Sequence, residues 1–203
     1  MLECALLIHF VIVACELHTL GHIKGKWNIL KYYTYLQNFL ALIVSLMFSV
    51  ALVVCMISNR AVPEYMKGLR YVATCGLAAT MFIFLVFLGA GKKIAMTEAD
   101  FLPGCSPQIA NSVLHYVCPV LSVLSFVLFE RDISLSKGIW TSLAAIPSCL
   151  YWIVYAVLSA TGLWEEPYAF AAQEEKGVLR KCLPFFLLPA SFIALSFVLW
   201  IVK

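Results

Sequence analysis

Residues Tyr32–Ile57 read YYTYLQNFLALIVSLMFSVALVVCMI, 26 positions without Asp, Glu, Lys or Arg. At ~1.5 Å of rise per residue a helix of this length crosses the ~30 Å hydrocarbon core of a bilayer. In that solvent the backbone must satisfy its own polar groups, so the stretch is expected to be helical. Five further apolar stretches flank it: Cys4–Leu20, Tyr71–Gly89, Ser112–Phe129, Ile139–Leu158 and Cys182–Val202. The expected fold is all-α, a polytopic membrane protein with a bundle of six transmembrane helices forming one integral membrane domain over residues 1–203.

Composition points the same way. The chain is 63% hydrophobic and 12% charged, with mean hydropathy +0.94, whereas soluble domains carry roughly 25% charge. The net charge of +3 is small and the basic residues fall in the expected loops, so nothing points to nucleic acid. Met1-Leu2-Glu3 supplies no basic leader, so the first span is expected to be retained. None of the eight cysteines forms a CxxC pair, and most lie in apolar spans as small hydrophobes.

Let face B be the side of the first, third and fifth loops, and face A the side of the termini. Lysines and arginines number 8 on face B and 6 on face A, too even a split to orient the chain by the positive-inside rule. The shorter even loops favour face A as cytoplasmic. The third loop (Ala90–Asn111) and the fifth (Ser159–Lys181) are the long ones, and long loops on one face suit lids and substrate gates. Pro184 and Pro189 predict a kink in the last span.

Helical spacing identifies the inward faces. The first span presents Ala5, His9, Ile12, Glu16 and Thr19; the second, Thr34, Asn38, Ala41, Ser45 and Ser49. The fourth presents Asn111, His115, Cys118, Ser122 and Ser125; the fifth, Thr141, Ala145, Ser148, Trp152, Tyr155 and Ser159. Small residues on such faces let helix backbones approach. Amide and ionisable groups at membrane depth cost several kcal/mol unless partnered, and so mark candidate sites. Thr34 and His115 each lie about one turn inside a span that starts on face B, and Glu16, Trp152 and Tyr155 approach the same level.

A hydroxyl with an imidazole in hydrogen-bond reach is a nucleophile with its base. Asn38 and Asn111, one turn from Thr34 and His115, are placed to orient the imidazole or to bind an oxyanion. A site just below the membrane surface suits a lipid whose ester lies at the headgroup boundary. No metal or other cofactor is required.

The segment Lys31–Phe39 (KYYTYLQNF), following Trp27, and the segment Asn111–Tyr116 (NSVLHY), with Pro119 after it, resemble the androgen-induced-gene family, also called the FAR-17a-like family. The resemblance implies a six-span membrane protein and an atypical hydrolase of fatty-acyl esters, such as fatty-acid esters of hydroxy fatty acids. It places the family's threonine nucleophile on Thr34 and its histidine on His115. Phe101-Leu102-Pro103-Gly104 resembles the family's loop before the histidine span. Leu163-Trp164 with Pro167-Tyr168-Ala169-Phe170 resembles its aromatic-proline loop, making Trp164 and Tyr168 expected parts of a lid. Ala169 stands where proline is expected, and Pro103-Gly104 lies further from His115 than in animal members. The chain also lacks their charged tail, so it looks more like a bacterial relative in a cytoplasmic membrane.

Three other readings compete. His18 and His22 at i, i+4, with Glu16 and His115, are zinc-ligand types. A Thr34 or Cys118 nucleophile could serve a membrane acyltransferase instead of a hydrolase. A non-catalytic lipid-binding or transport protein is the third, although no inverted repeat or pair of broken helices of the transporter kind is visible. In every case the expected partners are lipid or a fatty-acyl ester substrate.

Overall fold

The structure, a computed structural model, describes residues 2–24, 32–88, 98–130, 139–164 and 178–202. Within these residues seven α-helices run in chain order: α1 Leu2–Gly21, α2 Tyr33–Ser58, α3 Glu64–Ile83, α4 Pro107–Ser112, α5 Cys118–Leu124, α6 Ile139–Ala160 and α7 Val178–Val202. A π-helical turn, Phe84–Leu88, extends α3. Two more, Val113–Val117 and Ser125–Phe129, follow α4 and α5, so that Pro107–Phe129 forms one long rod. Among the described residues the extended pairing is a single antiparallel bridge, Ile23 with Phe101. Among the described residues five helical stretches are long and apolar enough to cross a membrane: Leu2–Gly21, Tyr33–Ser58, Glu64–Val86, Pro107–Phe129 and Ile139–Leu158.

The bundle is apolar outside and partly polar inside. On α1 the exposed side chains include Leu7, Phe10, Val11 and Leu17, while His9, Glu16 and Thr19 are buried. On α2, Phe39, Ile43, Leu46 and Val50 are exposed and Gln37, Asn38, Ser45 and Ser49 buried. Water would select the reverse pattern; lipid tails as solvent select this one. The inward residues read from helical spacing are buried as expected, with Thr34, Asn111 and His115 half-buried and the Ser159 side chain outside the described residues.

The centre of the bundle is α3, which touches α2, α5, α6 and α7. Small residues allow this. A Cβ on Gly68 would stand 2.2 Å from the Trp140 ring of α6, and one on Gly76 would stand 2.1 Å from Gln37 Oε1 of α2. Glycine is required at both positions by close approach, as in membrane helix packing generally.

The rod carrying His115 starts earlier than its hydropathy predicts. Ser106 caps α4, its hydroxyl accepting from the Ile109 N–H at 3.3 Å, and Pro107 opens the first turn. The helix therefore begins at Pro107 rather than Ser112, within what reads as loop. At the other end of the chain, α7 continues through Pro184 and Pro189 without a break in the helix.

Candidate functional site

Thr34 sits in the first turn of α2, and His115 at the middle of the first π turn of the rod. Pro119 accounts for that turn. It has no N–H to donate to the His115 carbonyl four residues back, and its ring would crowd that carbonyl. The wider turn bonds the Cys118 N–H to the Val113 carbonyl instead, and such turns recur at functional sites.

The two side chains meet: Thr34 Oγ1 lies 3.1 Å from His115 Nε2. The second ring nitrogen, Nδ1, lies 3.0 Å from the Asn111 carbonyl oxygen. A carbonyl can only accept, so in the neutral ring Nδ1 carries the proton and Nε2 offers its lone pair to the Thr34 hydroxyl. That tautomer is the one a general base needs. The Phe84 ring lies against the imidazole with centroids 4.3 Å apart, fixing its plane from the α3 side.

Asn38 ties the partners together in a different way from the sequence expectation. Its amide donates to the Thr34 carbonyl at 2.7 Å and to the Leu114 carbonyl at 3.3 Å. Both amide hydrogens are thus engaged with backbone, one on each side of the pair, and none is directed at an oxyanion. Asn111 acts through its backbone carbonyl rather than its side chain.

Trp152 and Tyr155 are buried with Tyr33, Tyr151 and Phe192 in an aromatic cluster, against which Trp164 packs. The Tyr33 hydroxyl lies 2.9 Å from Ser148 Oγ. This cluster buttresses the first turn of α2 next to Thr34. Tyr168 lies outside the described residues. Glu16 is fully buried on α1, and its carboxylate oxygens have no N–H or O–H partner among the described residues. The Cys118 thiol is its weak hydrogen-bond partner, and the Cys15 thiol lies nearby.

On face B the chain segments that follow α1 and precede α4 are pinned together. The Lys24 N–H donates to the Asp100 carbonyl at 2.8 Å, and the Leu102 N–H to the His22 carbonyl at 2.7 Å. A depression of about 510 Å³ opens there, its walls including Lys24, Phe101, Leu102 and Ile109. Gly104, at φ 106°, turns the chain beneath the His22 ring, where a Cβ would stand 3.3 Å from Nε2. His22 Nδ1 donates to the His18 carbonyl. Among the described residues no three His, Cys, Asp or Glu side chains come together as a metal site would need. Cys105, in the loop ahead of α4, has its thiol pushed up by burial, which disfavours a thiolate there.

A second polar cluster near face A was only partly legible. Arg70 reads as a loop charge at that face; it is instead buried in α3. All five of its N–H groups are used. Nε and Nη2 donate to Glu130 Oε1 at 3.3 and 3.1 Å, Nη1 to Thr74 Oγ1 and to Ser122 Oγ at 2.8 Å, and Nη2 to the Ser122 carbonyl at 2.8 Å. Ser125 Oγ donates to the same Glu130 oxygen at 2.6 Å, and His9 Nε2 reaches it from α1 at 3.2 Å. The signal was present as Arg70 and Thr74 at i, i+4, with Glu130 ending the rod at the same face.

Comparison of the chain with protein-family models, with curated proteins and with solved structures returns no match.

Proposed function

We propose that this protein is an intramembrane lipid-ester hydrolase of six membrane crossings, α7 being the sixth. Thr34 is the nucleophile and His115 its base. The observation that carries the reading is the 3.1 Å Thr34 Oγ1–His115 Nε2 contact, with Nδ1 committed to the Asn111 carbonyl. The resemblance of both segments to the androgen-induced-gene family supports the same assignment, with fatty-acyl esters as substrates.

In this mechanism Thr34 Oγ attacks the ester carbonyl while Nε2 takes its proton. The resulting imidazolium protonates the departing alcohol, leaving an acyl ester on Thr34. Water, deprotonated by Nε2, then releases the fatty acid and restores the hydroxyl. The Asn38 amide, engaged with the Thr34 and Leu114 carbonyls, is not the oxyanion donor in this mechanism.

A fluorophosphonate probe on the purified full-length protein tests the assignment. Wild type should be labelled on Thr34 and cleave fatty-acyl esters. Thr34→Ala and His115→Ala should each fold and lose both activities, the double variant should be little worse than either, and Thr34→Ser should retain activity. Ester cleavage by Thr34→Ala at the wild-type rate would refute the mechanism, and ligand retention without turnover would favour the lipid-binding reading. Transfer of the acyl group to a lipid alcohol in preference to water would make it an acyltransferase. For the sixth crossing, cysteines introduced at Lys24 and Lys203 should be labelled from opposite sides of a sealed vesicle; labelling from one side alone would exclude it.

A further inference from the structure

Four buried polar atoms have no N–H or O–H partner among the described residues: Glu16 Oε1 and Oε2, which only the weakly bonding Cys118 thiol approaches, Thr19 Oγ1 and Asn38 Oδ1. Their residues are all fully buried. Glu16 and Thr19 share one face of α1 at i, i+3. Glu16 lies five residues before the end of α1 and Asn38 five residues after the start of α2, so the two stand at one depth, ~7.5 Å along their helices. Both reach the His115 rod. Asn38 contacts the Leu114 carbonyl, and Cys118 is a polar neighbour of Glu16. Leu114 and Cys118 bracket His115 in sequence, so Asn38 and Glu16 both lie against the turn that carries it.

Nearly all buried polar atoms in proteins are hydrogen-bonded, to protein or to internal water that makes about three bonds. A carboxyl at membrane depth is especially costly when unpartnered. We infer that Glu16, Thr19 and Asn38 hold internal water and that this water hydrolyses the acyl group on Thr34. The second role rests on the hydrolase reading above; the first does not. The arrangement separates the two reactants: the acyl chain arrives from lipid, and water waits inside the bundle. The step balances. A water oxygen bonds to the acyl carbon, His115 Nε2 takes its proton, the bond to Thr34 Oγ breaks, and that proton returns to the Thr34 oxygen as the fatty acid leaves. Glu16 here is a positioning residue acting through water.

X-ray radiolytic footprinting of the full-length protein in lipid nanodiscs tests the first role, because bound water generates hydroxyl radicals that oxidise adjacent side chains. Cys118 should be oxidised at least ~10-fold faster than Cys75, an almost equally buried thiol in α3. The difference should vanish in Glu16→Leu and persist in Glu16→Gln, and Thr19→Val should reduce it if Glu16→Leu does not fold. Equal oxidation of Cys118 and Cys75 in the wild type would overturn the water site. Deacylation tests the second role. Glu16→Leu should label with fluorophosphonate at the wild-type rate yet accumulate acyl-Thr34 about 10-fold over wild type in intact-mass spectra, with Glu16→Gln restoring turnover. Unchanged acyl-Thr34 levels in Glu16→Leu would overturn water delivery. Absence of Thr34 labelling in the wild type would instead refute the hydrolase reading and leave the footprinting result to decide the water site.

Discussion

Asn38 shows how one residue can serve a site without touching a reactant. Its two amide hydrogens bridge the Thr34 and Leu114 carbonyls, so the start of α2 and the π turn of His115 are held at fixed separation. Replacement by leucine removes both bridges while keeping a side chain of similar size. Each bond contributes about 1 kcal/mol, so Asn38→Leu should lower unfolding free energy by about 1–3 kcal/mol in detergent, read by thermal or denaturant unfolding. It should also slow fluorophosphonate labelling of Thr34. Unchanged labelling would mean that the pair is positioned by α2 and Phe84 alone. The polar character of Asn38 was legible in its spacing from Thr34. The destination of its amide was not, because that depends on how far the rod of His115 rotates against α2.

At the level of elements, the rod Pro107–Phe129 is the informative one. Its two π turns coincide with the two polar clusters, one holding His115 and the other Ser125 and leading to Glu130. Pro119 is the sequence cause of the first. Pro119→Ala should allow the regular α-helical bond to the His115 carbonyl, swing the imidazole away from Thr34 and cut probe labelling, with thermal stability unchanged or raised. Labelling at the wild-type rate would show that tertiary contacts, not Pro119, hold the turn open. The second π turn has no proline four residues beyond it, and the sequence offers no local reason for it. There the Glu130 N–H bonds the Ser125 carbonyl at 3.2 Å, and Ser125 Oγ bonds the Glu130 side chain, so the ion pair accompanies the turn. The early start of α4 has a local cause that hydropathy ignores, the Ser106 cap followed by proline. The central helix α3 is less hydropathic than α2, and its tight contacts depend on glycines that meet partners from distant parts of the chain.

Across the whole molecule, two buried polar clusters sit near opposite faces of one apolar bundle. The Arg70–Glu130–His9 cluster pins α1, α3 and the rod together near face A, leaving the Thr34–His115 pair near face B. Removing one partner of a buried ion pair strands the other's charge and typically costs about 3–5 kcal/mol, whereas replacing both by apolar residues is often neutral. Arg70→Met or Glu130→Leu alone should therefore destabilise strongly in detergent unfolding, and the double variant should recover most of the loss. A double variant as unstable as the singles would assign the cluster a role in packing shape rather than charge pairing. Hydropathy and length were enough to show helices able to cross a membrane, because uncharged runs of this length match the thickness of its hydrocarbon core. The sequence also determined the inward faces, because helical periodicity places every third or fourth residue on one side regardless of partners. That Thr34 and His115 touch, that Arg70 belongs to the interior and that Glu16 lies beside Cys118 came from packing alone. Those facts depend on how antiparallel rods are rotated and staggered against each other, and that is set by contacts between residues tens of positions apart.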